Sequence, residues 1–272
     1  MNDLLRSFSL SVDLAVEARD LVRGATGREI SGVIEDVKEL PHCKVTTITI
    51  KDPKAEAIMG RPVGSYVTIE SDELSTRDPL VIKETAKALG DVLVQMLGGN
   101  PRNDLEVMIV GLGNRFATPD ALGSRVIEQL PATRHVHKYI PEAVLPGMRS
   151  VCAITPGVLG LTGIETAEIV QGVVEKVKPQ VVIIIDALAA QNTERIGTTI
   201  QSANTGIQPG GGVGNARAAL NQQTLGVPVI SIGAPTVVAA AIIAHEAIHQ
   251  YCKQNNINFN DQAAIRALQT LL

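Results

Sequence analysis

Two hydrophobic rhythms divide the chain. From about Asp78 onward, short aliphatic runs at residues 107–110, Val151–Ile154, 181–185 and 227–232 alternate with stretches whose apolar residues recur every three or four positions. Continuous short runs separated by amphipathic helices are how parallel strands with crossover connections are written. The spacing predicts a helix over 80–97, ended by Gly98-Gly99-Asn100-Pro101. Another has Val170, Val173, Val174 and Val177 as its stripe, opens on a capping-box pattern at Thr162 and Glu165, and stops at Pro179. A long helix is predicted over 235–252 and a short one over 262–271. The first eighty residues read differently, with a helix over 14–22 and alternating strands at Lys44–Ile50 and 66–69. The predicted fold is α/β: a twisted, largely parallel sheet flanked by helices, with a mixed, β-rich N-terminal region to about residue 78.

Composition narrows the function classes. The 272 residues suffice for one large domain, and 45% are hydrophobic but only 2% aromatic, so Ala, Val, Ile and Leu must fill the core. With no Trp, three Phe and three Tyr, stacking platforms for single-stranded nucleic acid are scarce. A net charge of −4 without long runs of one sign gives no phosphate-binding footprint. Cys43, Cys152 and Cys252 are odd in number and too dispersed for a metal knuckle, which fits a reducing cytoplasm. Charges at Asp3, Arg6 and Asp13 interrupt the N-terminal apolar residues, so no secretory signal is expected, and no apolar stretch is long enough to span a membrane.

Ligands of open parallel sheets bind beyond the carboxyl ends of the strands. Gly111-Leu112-Gly113-Asn114 follows the run at 107–110 and leads to Thr118-Pro119-Asp120, with Pro119 suited to a first helical position. Asp186 follows the run at 181–185. Asp120 would meet a helix N-terminus, which favours an anion. Asp186, behind branched aliphatics, would be desolvated and hold its proton more tightly. Two carboxyls in unlike environments can divide the work of base and acid. Equally, Asp120 could be a first-turn helix residue and Asp186 a loop cap. Gly111 and Asn114, with Gly210, Gly211 and Gly212 in the glycine-rich stretch 206–215, are candidate substrate contacts. Phe116 occupies the third glycine position of a dinucleotide fingerprint, and the 206–215 stretch lacks the Lys-Ser/Thr ending of a P-loop. The segment His245-Glu246-Ala247-Ile248-His249 formally matches H-E-x-x-H, making His245, Glu246 and His249 a second, zinc-dependent reading. A third ligand is hard to find, because no Glu follows Glu246 and the acid downstream is Asp261.

Longer segments carry a resemblance. VDLAVEA (12–18), GLGN with TPDALG (111–123), TPGVLGLTGIET (155–166), DALAA (186–190), TTIQ with TGIQPGGGVGN (198–215) and TLGVPVISIGAPTVV (224–238) are similar to the spore germination protease family. The resemblance implies a fold like that of hydrogenase maturation endopeptidases. It further implies cleavage of small acid-soluble spore proteins in the spore cytoplasm, with Asp120 and Asp186 as the catalytic pair and no cofactor. A metal between the two carboxylates is a variant, since those maturation enzymes bind metal in a comparable place. An N-terminal propeptide is also implied, here residues 1–10 ahead of a domain of 11–272, and a homo-oligomer, possibly a tetramer. Direct nucleic-acid and membrane partners are not expected. A non-catalytic peptide-binding module of the same fold is the other alternative. The chain departs from the family pattern at Arg115, Asn204 and Ala239, and in a shorter C-terminal portion.

Overall fold

A computed structural model of the chain describes residues 2–8, 13–26, 30–99, 104–210 and 217–271. Eight strands form one sheet: β1 (Val33–Glu39), β2 (Lys44–Ile50), β3 (Gly64–Glu70), β4 (Val107–Gly111), β5 (Val151–Ile154), β6 (Val181–Ala190), β7 (Thr199–Ala203) and β8 (Val229–Val238). The helices are α1 (Asn2–Ser7), α2 (Ala15–Thr26), α3 (Pro53–Met59), α4 (Pro79–Met96), α5 (Leu122–Gln129), α6 (Arg134–Tyr139), α7 (Leu159–Thr162), α8 (Thr166–Val177), α9 (Gln222–Leu225), α10 (Ala240–Gln254) and α11 (Asp261–Leu271).

The strand order is β1-β2-β3-β7-β8-β6-β4-β5. Pairs β8-β6, β6-β4 and β4-β5 are parallel, whereas β1-β2, β2-β3, β3-β7 and β7-β8 are antiparallel. The class is the expected α/β, but the sheet is mixed rather than largely parallel. The aliphatic runs revealed only the parallel half. β1, with most of its residues exposed, and the short β7 carry no comparable apolar pattern.

Both faces of the parallel half are covered, which is why its strands read as unbroken apolar runs. Met108, Val110, Val182 and Ile184 pack against Val170 and Val174 of α8. Val107, Ile109, Val181 and Ile185 point the other way, against Leu93 of α4 and Leu122 and Val126 of α5. The period of two along β4 and β6 sorts these residues to opposite faces. Under the antiparallel half, Leu14, Ala15 and Ala18 of the α2 segment pack on Ile48, Ile50 and Tyr66. Leu4 and Leu5 of α1 are buried against Ile242 of α10 and Ile265 and Leu268 of α11.

Three boundaries differ from expectation. The predicted capping box does not form: Thr162 ends α7, its Oγ1 accepts from Ile164 N at 3.1 Å, and α8 starts at Thr166. Gly163 reverses the chain there, so the two residues flank a turn rather than one helix start. Residues 235–239 are not helical, because β8 runs on to Val238. Pro235 is tolerated beside a register shift between β6 and β8, where a missing N–H breaks no ladder. Finally, β6 continues past 185 to Ala190, so Asp186 lies inside a strand, not in the loop after it.

Candidate active site

β4 and β6 are neighbours whose exits diverge, toward β5 on one side and toward β7 and β8 on the other. Such divergence opens a crevice at the carboxyl ends of the strands. Here it is a cleft of about 530 Å³ lined by Asp120, Asp186, Asn114 and Gly210, and also by Asp13 and Thr236.

Each carboxylate is placed by its own strand. β4 ends at Gly111, paired with Ile185, so Asp186 is the first residue of β6 past its neighbour, still held by Gly233 of β8. Its side chain belongs to a residue only 7% exposed, and Oδ1 accepts its neighbour's Ala187 N–H at 2.9 Å. Burial pushes the Asp186 carboxyl up to about 7; the Ala187 N–H opposes this, while the charges of Asp120 and Asp13 add to it. The raised affinity expected for a desolvated Asp186 is therefore present.

Asp120 ends the 3-10 turn Thr118–Asp120 and is half-buried. Its Oδ2 accepts the Asn114 N–H at 2.7 Å. The turn is tied to β8 by Thr236 Oγ1, which donates to Pro119 O at 2.5 Å. Gly113 makes the loop possible: its φ is +95°, and a Cβ there would lie 2.0 Å from Asp120 O. Gly111 is buried behind the cleft and does not line it. A Cβ on it would sit 2.3 Å from Gly123 O, so this glycine serves the close approach of α5 to β4. Asn114 and Gly210 line the cleft, whereas Gly211 and Gly212 lie outside the described residues.

Sequence reasoning passed over Asp13, which lines the cleft, and Glu17, buried beside it, both supplied by the α2 segment. Asp13 Oδ2 accepts the Ala189 N–H at 2.8 Å, and Glu17 Oε1 accepts that of Gln191 at 3.1 Å. Burial raises both carboxyls, Glu17 to about 7 despite the Gln191 N–H and the Arg195 guanidinium 3.2 Å away. The available signal was their spacing of four residues in the VDLAVEA segment, which puts both acids on one side of a helix start.

The HEAIH segment is built differently from a metal site. His245 is buried with Nε2 2.5 Å from Asp261 Oδ1, and both His245 and His249 meet the Phe259 ring edge-on. Glu246 instead accepts from Thr193 Oγ1 at 2.7 Å. Among the described residues no three His, Cys, Asp or Glu side chains are grouped to hold a metal ion. None of the described helices is long and apolar enough to cross a membrane. Of the departures from the family pattern, Arg115 pairs with Glu128 at the surface, Asn204 Oδ1 accepts from Ser65 N at 2.8 Å, and Ala239 precedes α10 without a side-chain cap.

Residues 12–270 match the sequence profile of the germination protease family. The chain belongs to the germination protease family. It is 48% identical to the germination protease of Caldanaerobacter subterraneus subsp. tengcongensis over 245 residues, 90% of this chain and 74% of that relative. The germination protease of Clostridium acetobutylicum is 44% identical over 241 residues, 88% of this chain and 74% of the relative. That of Bacillus velezensis is 42% identical over 268 residues, 97% of this chain and 73% of the relative. Membership of a germination protease family makes a protease role the chemistry this cleft has to account for.

Proposed function

We propose that the chain is an endopeptidase in which Asp120 and Asp186 act together on one peptide bond. The observation that carries this reading is two acids of unlike surroundings in one cleft, Asp120 half-buried on a loop and Asp186 buried in a strand with its carboxyl raised to about 7. Asp120, ionised, takes a proton from water as its oxygen adds to the scissile carbonyl. Asp186, protonated, gives its proton to the carbonyl oxygen, yielding a neutral tetrahedral diol. When the C–N bond breaks, Asp120 passes its proton to the departing amine and Asp186 regains one from the second hydroxyl. Both acids end as they began.

The substrates in this reading are small acid-soluble spore proteins, cleaved in the cytoplasm of the spore. Residues 1–10 act as a removable propeptide ahead of a catalytic domain of 11–272, and the enzyme works as a homo-oligomer. Support comes from the family membership and from the relatives' name.

The test is incubation of a small acid-soluble spore protein with the full chain, read by mass spectrometry. Discrete internal cleavage is expected, lost in Asp120→Asn and in Asp186→Asn, each of which keeps its fold by circular dichroism. Undiminished cleavage by Asp186→Asn would overturn the mechanism.

A further inference from the structure

β6 presents alternate backbone N–H groups toward the side that β4 has vacated. Beyond Ile185, whose carbonyl still accepts from Leu112 N at 2.8 Å, no β4 residue remains to pair with them. Carboxylates occupy these positions instead: Asp186 takes Ala187 N, Asp13 takes Ala189 N and Glu17 takes Gln191 N. The α2 segment thus stands in for the missing strand. Asp13 is itself held tightly, since Gln201 Nε2 donates to its carbonyl at 3.0 Å and Gln201 Oε1 accepts from Ala15 N at 2.6 Å. Asp13 also stands where the main cleft meets a second cavity of about 360 Å³, lining both.

We infer that Asp13 is a positioning residue of the site: it fixes the Ala187–Ala189 backbone beside Asp186 and sets a further carboxylate at the cleft next to that acid. This rests on the reading of Asp186 as the acid. The charged groups bearing on the pair are Asp120 from the β4 loop, Glu17 from α2, and Arg61 from the turn before β3. Arg195 faces Glu17 and Glu70, and so acts on the pair through Glu17. Burial raises Asp13 too, with the Ala189 N–H and Arg61 opposing it. A charge on Asp13 makes Asp186 lose its proton against an existing negative charge.

The experiment compares the parent with Asp13→Asn, whose amide oxygen can keep the Ala189 bond, and with Asp13→Ser. Two readouts are taken: the pH profile of kcat/KM on a spore-protein peptide, and carbon-13 NMR titration of the Asp186 carboxyl, assigned with Asp186→Asn. Removal of the Asp13 charge should lower the Asp186 midpoint, and the basic limb of the profile, by roughly one pH unit. The NMR reading stands even if a variant turns over no substrate. A midpoint unchanged in both variants overturns the inference. If Asp186→Asn cleaves like the parent, the acid assignment fails instead, whatever Asp13 does.

Discussion

Replacing Asp186 by Asn should do two opposite things, stop catalysis and stabilise the fold at neutral pH. The carboxyl is raised from 3.8 to about 7 in the native state, so between these values the unfolded chain releases a proton that the folded chain retains, about half of it still at pH 7. The sign follows from linkage. Any stability associated with this group is fully present below 3.8, and is lost as pH climbs through the window to about 7. At about 1.4 kcal/mol per pH unit, the loss has an upper bound of roughly 4 kcal/mol, and local relaxation should leave about half. Asn has the same shape and can keep the Ala187 N–H contact, but carries no charge to desolvate. The assay is thermal unfolding of parent and Asp186→Asn between pH 4 and pH 8. The two should melt together near pH 4, with the variant higher by roughly 4–8 °C at pH 8. Relief of the repulsion from Asp120 and Asp13 pushes the same way. A gap independent of pH, or a variant that melts lower at pH 8, would refute a buried, proton-retaining Asp186.

The remaining expectations are narrower. Asp120→Asn should lower kcat/KM at least about 100-fold without moving the melting temperature by more than a few degrees, the ordinary consequence of losing a general base. Gly113→Ala forces a Cβ to within 2.0 Å of Asp120 O at a φ of +95°. It should cost both activity and stability, whereas Gly172→Ala in α8, with open space around it, should be neutral or stabilising by about 0.5–1 kcal/mol in denaturant titrations. His245→Ala removes the Asp261 partner and should lower stability by about 1–3 kcal/mol while cleavage persists. A zinc chelator should leave cleavage unchanged, and loss with recovery on added zinc would revive the H-E-x-x-H reading. Ile184→Ala, fully buried between β4 and α8, should cost about 2–5 kcal/mol by urea titration.

Much of this was legible in the chain itself. Continuous aliphatic runs betray strands covered on both faces, and β4, β5 and the first half of β6 fall where those runs lie. α4 and α11 follow from apolar spacing and punctuation. Asp186 was selected because it directly follows such a run and Asp120 because it lies in the loop beyond another, and the resemblance implied the same two. Tertiary structure decided the rest. In the antiparallel half β2 and β3 were legible as alternating strands, whereas β1 is an exposed edge and β7 is short, so neither of those needs a strong apolar pattern. The length of β6 is set by β8, which pairs alongside it to Val238, and no local signal at Asp186 reveals a partner more than forty residues away. Asp13 and Glu17 look like ordinary acids at a helix start. They meet β6 only because β4 stops one residue short of Asp186, leaving N–H groups on β6 that a distant segment must satisfy. Hydrophobic pattern reports which face of an element is buried. Which polar groups converge at the end of the sheet depends on where each neighbouring strand stops, and that is a property of the assembled sheet.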